Sequence, residues 1–157
     1  MMYATRNNMD VACRLEVIAL LQARLCDTLD LGMQAKQAHW NVKGPNFLTL
    51  HELFDRLHQE LDDHADTIAE RIVALGGQAL GTVQEVADQS ALDPYPIRAS
   101  AASDHISAFG AALSRHGTAV RADIDAAANL GDQATSDLFT EVCRGIDKAL
   151  WLVEAHG

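Results

Sequence analysis

The sequence predicts an all-α fold: a bundle of four long helices, with a short helix in the long crossover between the second and third. Three observations predict it. Alanine and leucine dominate a chain that is 5% aromatic and holds only 3 prolines, a composition of good helix formers. Apolar residues recur at the helical period over four long stretches. Two of the links between those stretches are short and the middle one is long.

The first helix is expected from about Asp10 to Val42, with Val11, Leu15, Ile18, Leu25, Leu29 and Met33 at helical spacing. The residues before it form a short N-terminal tail. Gly44 and Pro45 stop the helix, since glycine caps a C-terminus and proline cannot continue the ladder. The second helix runs from about Asn46 to Leu75 and ends at Gly76-Gly77. Its apolar positions Phe47, Leu50, Phe54, Leu57, Leu61, Ala65, Ile68, Ile72 and Leu75 advance by threes and fours, which makes one continuous seam. Within residues 80–100, "TVQEVADQS" suits a short helix and "DPYP" a turn. The third long helix is expected from about Ser103 to Ala128 and the fourth from about Ala134 to Ala155, separated by "NLGD". Short links make each pair antiparallel, and the long link can recross the bundle. A four-helix bundle with one long crossover is the ferritin-like arrangement. No internal repeat or second domain is visible, so residues 1–157 are read as one domain, large enough to bury its own core.

Twelve Lys and Arg against 22 Asp and Glu leave a formal charge of −10. Such a surface repels nucleic acid and anionic membranes and attracts cations. Cys13, Cys26 and Cys143 are odd in number and fit no metal spacing, so they read as reduced core thiols. The longest apolar run, Val17 to Leu21, is too short to cross a bilayer, and "MMYATRNNMD" has no signal core. A cytoplasmic protein is expected.

Beside the seam of the second helix lies a polar stripe: His51, Asp55, His58, Asp62, Asp66 and Glu70. It contains acids and imidazoles and no lysine or arginine, a donor set suited to Fe²⁺, Mn²⁺ or Zn²⁺. One ion cannot use all of it. Asp55 and Asp66 are 11 residues apart, roughly 16 Å along a helix. His51/Asp55 and Asp66/Glu70 are therefore two half-sites. The residue numbers of His51 and Glu70 total 121, as do those of Asp55 and Asp66. One antiparallel two-fold pairing, centred between Glu60 and Leu61, would unite both pairs across two copies of the chain. His39, brought near His51 by the tight interhelix turn, would complete each site. "HELFD" is one residue from the zinc motif HExxH, but Asp55 stands where the second histidine belongs, which argues against a metalloprotease.

The chain resembles the Dps family, the mini-ferritins named DNA-binding proteins from starved cells. The resemblance lies in "AHWNVKGPNF", "LHELFDRLHQELDDHADTIAERIVALGG", "DPYP" and "DLFTEV…DKALWLVEAH", and spans roughly residues 15–156. It implies a di-iron ferroxidase site with His39, His51 and Asp55 from one subunit and Asp66 and Glu70 from the next. It further implies a hollow dodecamer, built from two-fold dimers, that oxidises Fe(II) with hydrogen peroxide or dioxygen and stores the ferric product; zinc or manganese could substitute for iron. The ExxH pairs of larger ferritins are missing, in keeping with an intersubunit site. Asp132, Asp137 and Glu141 correspond to acids lining a three-fold pore in similar proteins, and Glu52 to a cavity position that nucleates mineral. Trp40, beside a ligand, is expected either to shield the site and intercept radicals or to fill the core. His58, His64, His105, His116 and His156 receive no role.

The chain departs from DNA-binding members of that family. It has three lysines, Lys36, Lys43 and Lys148, and no basic terminal tail, so DNA binding through phosphate contacts is not expected. The competing classes are a nucleoid-compacting DNA-binding protein with a secondary metal site and a structural oligomer held by zinc.

Overall fold

The computed structural model describes residues 2–157. Five helices form in chain order: α1 Val11–Asn41, α2 Phe47–Ala74, α3 Val83–Gln89, α4 Ala102–Asn129 and α5 Gln133–Glu154. Each long helix lies within about a residue of its expected span. Asp10 is the N-cap of α1, its carboxylate accepting from the N–H groups of Ala12 and Cys13 at 2.8 and 3.3 Å. Gly76 ends α2 at φ +87° and Gly131 ends α4 at φ +82°, left-handed backbone that glycine adopts without a Cβ clash.

α1 packs on α2 and α4 on α5 as antiparallel pairs. The pairs meet along α1 with α4 and α2 with α5, and α3 lies against α1. Leu21, Leu31, Leu50, Phe54, Leu57, Ile68, Phe109, Leu113, Phe139 and Ile146 are fully buried between them. The α2 seam turns inward as expected from Leu50 to Leu75, while Phe47, in the first turn, stays half exposed. Among the described residues the one bridge outside the helices joins Lys43 to Ala101, with the Lys43 N–H donating to the Ser100 carbonyl at 2.9 Å. It fastens the end of the crossover to the α1–α2 turn.

α1 corrects one expectation. Its inward face is Val17, Leu21, Leu25, Thr28, Leu31, Ala35 and Ala38, whereas Val11, Leu15 and Met33 are exposed. This helix carries apolar residues on more than one side, so periodicity alone selects a mixed stripe, of which Leu25 is buried. Ile18 and Leu29 from that stripe are partly buried and face Gly77 and Gly81 of the chain leaving α2. The segment before α1 is not free: the Tyr3 N–H donates to the Gly76 carbonyl at 2.7 Å, and Met9 packs on the core. No described helix is long and apolar enough to cross a membrane.

Candidate metal centre

α1 ends and α2 begins around Lys43–Asn46, and this turn sets His39 against His51. Their rings stack with centroids 3.7 Å apart and planes inclined by 21°. His39 Nδ1 lies 2.8 Å from the His51 carbonyl, and His51 Nδ1 lies 2.8 Å from the His39 carbonyl. A carbonyl oxygen can only accept, so both Nδ1 atoms carry the proton. In the neutral ring each Nε2 then keeps a free lone pair, the form in which imidazole binds a metal.

Asp55 stands one turn beyond His51, with Oδ1 4.0 Å from His39 Nε2. Lys36 donates to that same oxygen at 2.7 Å, and Gln59 donates to Oδ2 at 3.2 Å. The Lys36 hydrogen bond is the main reason the Asp55 carboxyl sits below the usual carboxylate range. Lys36 lies outside the acid-and-imidazole stripe of α2, since this cation comes from α1. It lies one turn before His39, on the same helix face. Trp40 does not fill the core: it is 60% exposed, with the Lys36 ammonium 5.8 Å from its ring centre.

The structure thus brings together three of the five expected ligands. Asp66 and Glu70 lie farther along α2, exposed, and no hydrogen bond or ion pair engages their side chains among the described residues. No group of three His, Cys, Asp or Glu within the described residues of one chain could hold an ion. Glu52 is exposed on α2 next to His51.

Asp132 has partners within the chain. It is 3% exposed and serves as N-cap of α5, accepting from the Thr135 N–H at 3.0 Å. Arg71, in the last turn of α2, donates to both its oxygens at 2.8 Å. Burial opposes its ionisation, but the hydrogen bonds from Thr135 and Arg71 outweigh burial and hold its carboxyl below the usual range. Within one chain this carboxylate is therefore held by Arg71 and the N-terminus of α5. Asp137 and Glu141 remain exposed, one turn apart on α5.

His105, His116 and His156 find internal partners. The Tyr95 hydroxyl lies 2.8 Å from His105 Nδ1, His116 Nε2 lies 3.2 Å from the Thr28 hydroxyl, and His156 Nδ1 donates to the Leu152 carbonyl at 2.7 Å. His64, partly buried, sits against Gly145.

Comparison with known proteins places this architecture. The ferritin-like domain family matches residues 18–156. The DNA protection during starvation protein of Agrobacterium fabrum is 41% identical over 154 residues, covering 98% of this chain and 95% of that protein. A solved structure of Mycobacterium smegmatis Dps superposes with a TM-score of 0.93 at 29% identity, covering 98% of this chain and 93% of its own. DpsA14 from Streptomyces coelicolor gives 0.92 at 34% identity, covering 98% and 90%.

Proposed function

The chain belongs to the Dps family of ferritin-like proteins, and on that premise we propose that it is a ferroxidase that oxidises Fe(II) at paired intersubunit sites. Hydrogen peroxide is the proposed oxidant, and a hollow dodecamer stores the ferric product. One observation carries the reading: the reciprocal bonds that turn both Nε2 lone pairs of His39 and His51 outward, with Asp55 beside them. That half-site is rich in neutral donors and short of carboxylates. Asp66 and Glu70 of a second copy, exposed and unpaired on α2, supply what it lacks.

Iron is the substrate, so the residues must bind it, let it react and let it go. The two imidazoles accept Fe(II) without first losing a proton. The carboxylates favour the harder Fe(III) once it forms. Lys36 holds Asp55 anionic and oriented before iron arrives, and Fe(II) would compete with its ammonium for Oδ1. Two Fe(II) ions each give one electron to one hydrogen peroxide, which takes two protons and leaves as two waters. Pairing the electrons avoids release of hydroxyl radical. The acidic surface concentrates Fe²⁺ near the molecule, and with three lysines in the chain it disfavours the alternative of a DNA-compacting protein.

The test uses two variants, Asp66→Asn/Glu70→Ala and His39→Ala/His51→Ala. Each alone should lose fast Fe(II) oxidation and keep its helical circular dichroism. Co-refolding them should restore oxidation, because mixed pairs unite one intact half from each chain. Mixed assemblies with no recovered activity would refute the intersubunit site. A zinc-held structural oligomer is separated by the ferric absorbance that peroxide should produce after anaerobic Fe(II) loading.

A further inference from the structure

The His51/Asp55 pair has a second edition seven residues farther along α2. His58 and Asp62 repeat the spacing, with His58 Nε2 3.6 Å from Asp62 Oδ2. The tautomer is set by the same device. His58 Nδ1 lies 3.0 Å from the Gly32 carbonyl of α1, as His51 Nδ1 lies against the His39 carbonyl. The two carbonyls are also seven residues apart, so the antiparallel register of α1 and α2 produces the same presentation twice, about 10 Å apart at 1.5 Å per residue. Here too the proton is on Nδ1 and the free lone pair is on Nε2.

The second pair differs from the first in what surrounds it. His58 and Asp62 open into a cavity of about 490 Å³ that Asp30, Met33, Val86 and Leu92 help to line, with no lysine or arginine in its wall. Asp55 has the Lys36 ammonium on it, whereas no lysine or arginine engages Asp62 among the described residues. Asp30 adds negative potential, although its oxygens already accept from Ser90 and Gln34 at 2.6 and 3.2 Å.

A single chain supplies only two donors here. The numbers of His58 and Asp62 total 120, one short of the 121 that unites His51 with Glu70 and Asp55 with Asp66. The same two-fold pairing therefore brings His58 and Asp62 of both copies around its axis. We propose that these four side chains form a further divalent-cation site on the dimer axis, with two imidazole nitrogens and two carboxylates suited to a tetrahedral ion of the zinc type. It lies about 11 Å along α2 from each oxidation site, at 1.5 Å per residue. Its ion bridges the two subunits and takes no part in electron transfer. The proposal rests on the intersubunit pairing put forward above.

Co(II) added to metal-free full-length protein is the probe. His39→Ala/His51→Ala should retain one tightly bound Co(II) per two chains, with the intense visible bands of a tetrahedral centre. His58→Gln/Asp62→Asn should lose those bands while its Fe(II) oxidation rate stays within about twofold of wild type. Equal tight Co(II) binding by that variant and wild type would overturn the proposal. Anomalous scattering from Co(II)-soaked wild-type crystals gives a second reading, independent of any variant. A peak on the two-fold axis between the His58 rings supports the site. The expected dimer without that peak overturns this proposal alone, and a dimer formed through another face overturns the pairing as well.

Discussion

Lowering the pH should destabilise this chain through His116. The imidazole is 0% exposed. Its Nε2 meets the Thr28 hydroxyl at 3.2 Å, while Nδ1 stands 4.0 Å from Asp27 with no hydrogen-bond partner among the described residues. Burial, and then the charge of Arg24, push its pKa down from 6.5 to about 3. The folded state therefore holds this ring neutral, while the unfolded chain protonates it near 6.5. The stability it contributes is complete above pH 6.5 and is lost progressively as the pH falls toward 3. At 1.36 kcal/mol per unit, the loss between pH 7 and pH 5 is about 2 kcal/mol per chain, about a 25-fold rise in the unfolded fraction. Asp123, whose carboxyl is raised mainly by burial, acts with the opposite sign in the same cluster. The decisive quantity is therefore the difference between two proteins. Urea unfolding followed by circular dichroism at pH 7, 6 and 5, at one protein concentration, should show wild type weakening more steeply than His116→Gln by that amount. Parallel pH profiles for the two would refute the assignment of a neutral buried imidazole.

Lys36→Met should remove the competitor for Asp55 Oδ1, so anaerobic Fe(II) titration should show tighter binding than wild type; unchanged binding would mean the ammonium yields without cost. Asp137→Asn/Glu141→Gln should slow iron uptake most at low ionic strength, where unscreened attraction assists the wild type most, and equal stopped-flow rates at two salt concentrations would exclude both residues from the iron passage. Asp132→Asn should lower stability by about 1 kcal/mol or more, because Asn can cap α5 but cannot accept from Arg71 with both atoms or balance its charge, as measured by urea unfolding. Plasmid DNA should not shift with the metal-free protein near neutral pH at physiological salt, and salt-sensitive tight binding would reveal a cationic surface.

Much of the bundle was legible because its signals are local. Asp10, Gly44, Gly76 and Gly131 mark helix ends by capping chemistry that needs no tertiary contact. The α2 seam was legible because its polar and apolar faces are cleanly divided. The inward face of α1 was not, because Val11, Leu15 and Met33 sit on an equally periodic stripe, and only the placement of α2 and α4 decides between the two. His39, His51 and Asp55 came together as their spacing about the turn required. The capping role of Asp132 was not legible, because Arg71, which binds it, is 61 residues away. Lys36 could have been found. His39 opposite His51 fixes the register of α1 on α2, and that register places residue 36 beside residue 55.

Under the proposed function, the exchange of hydrogen bonds between His39 and His51 makes metal competence conditional on correct assembly of the chain itself. Neither ring chooses its own tautomer, since each is dictated by a backbone carbonyl of the other helix. A chain in which α1 and α2 had paired out of register would present Nδ1 and Nε2 lone pairs at random and capture iron poorly. The two helices thus proofread each other, and the proposed iron site can form only where the scaffold that would contain its chemistry has already formed. The reference groups are neutral carbonyls and not carboxylates, so they fix direction without adding charge. The imidazoles therefore stay moderate donors, a property suited to a site whose cargo has to move on.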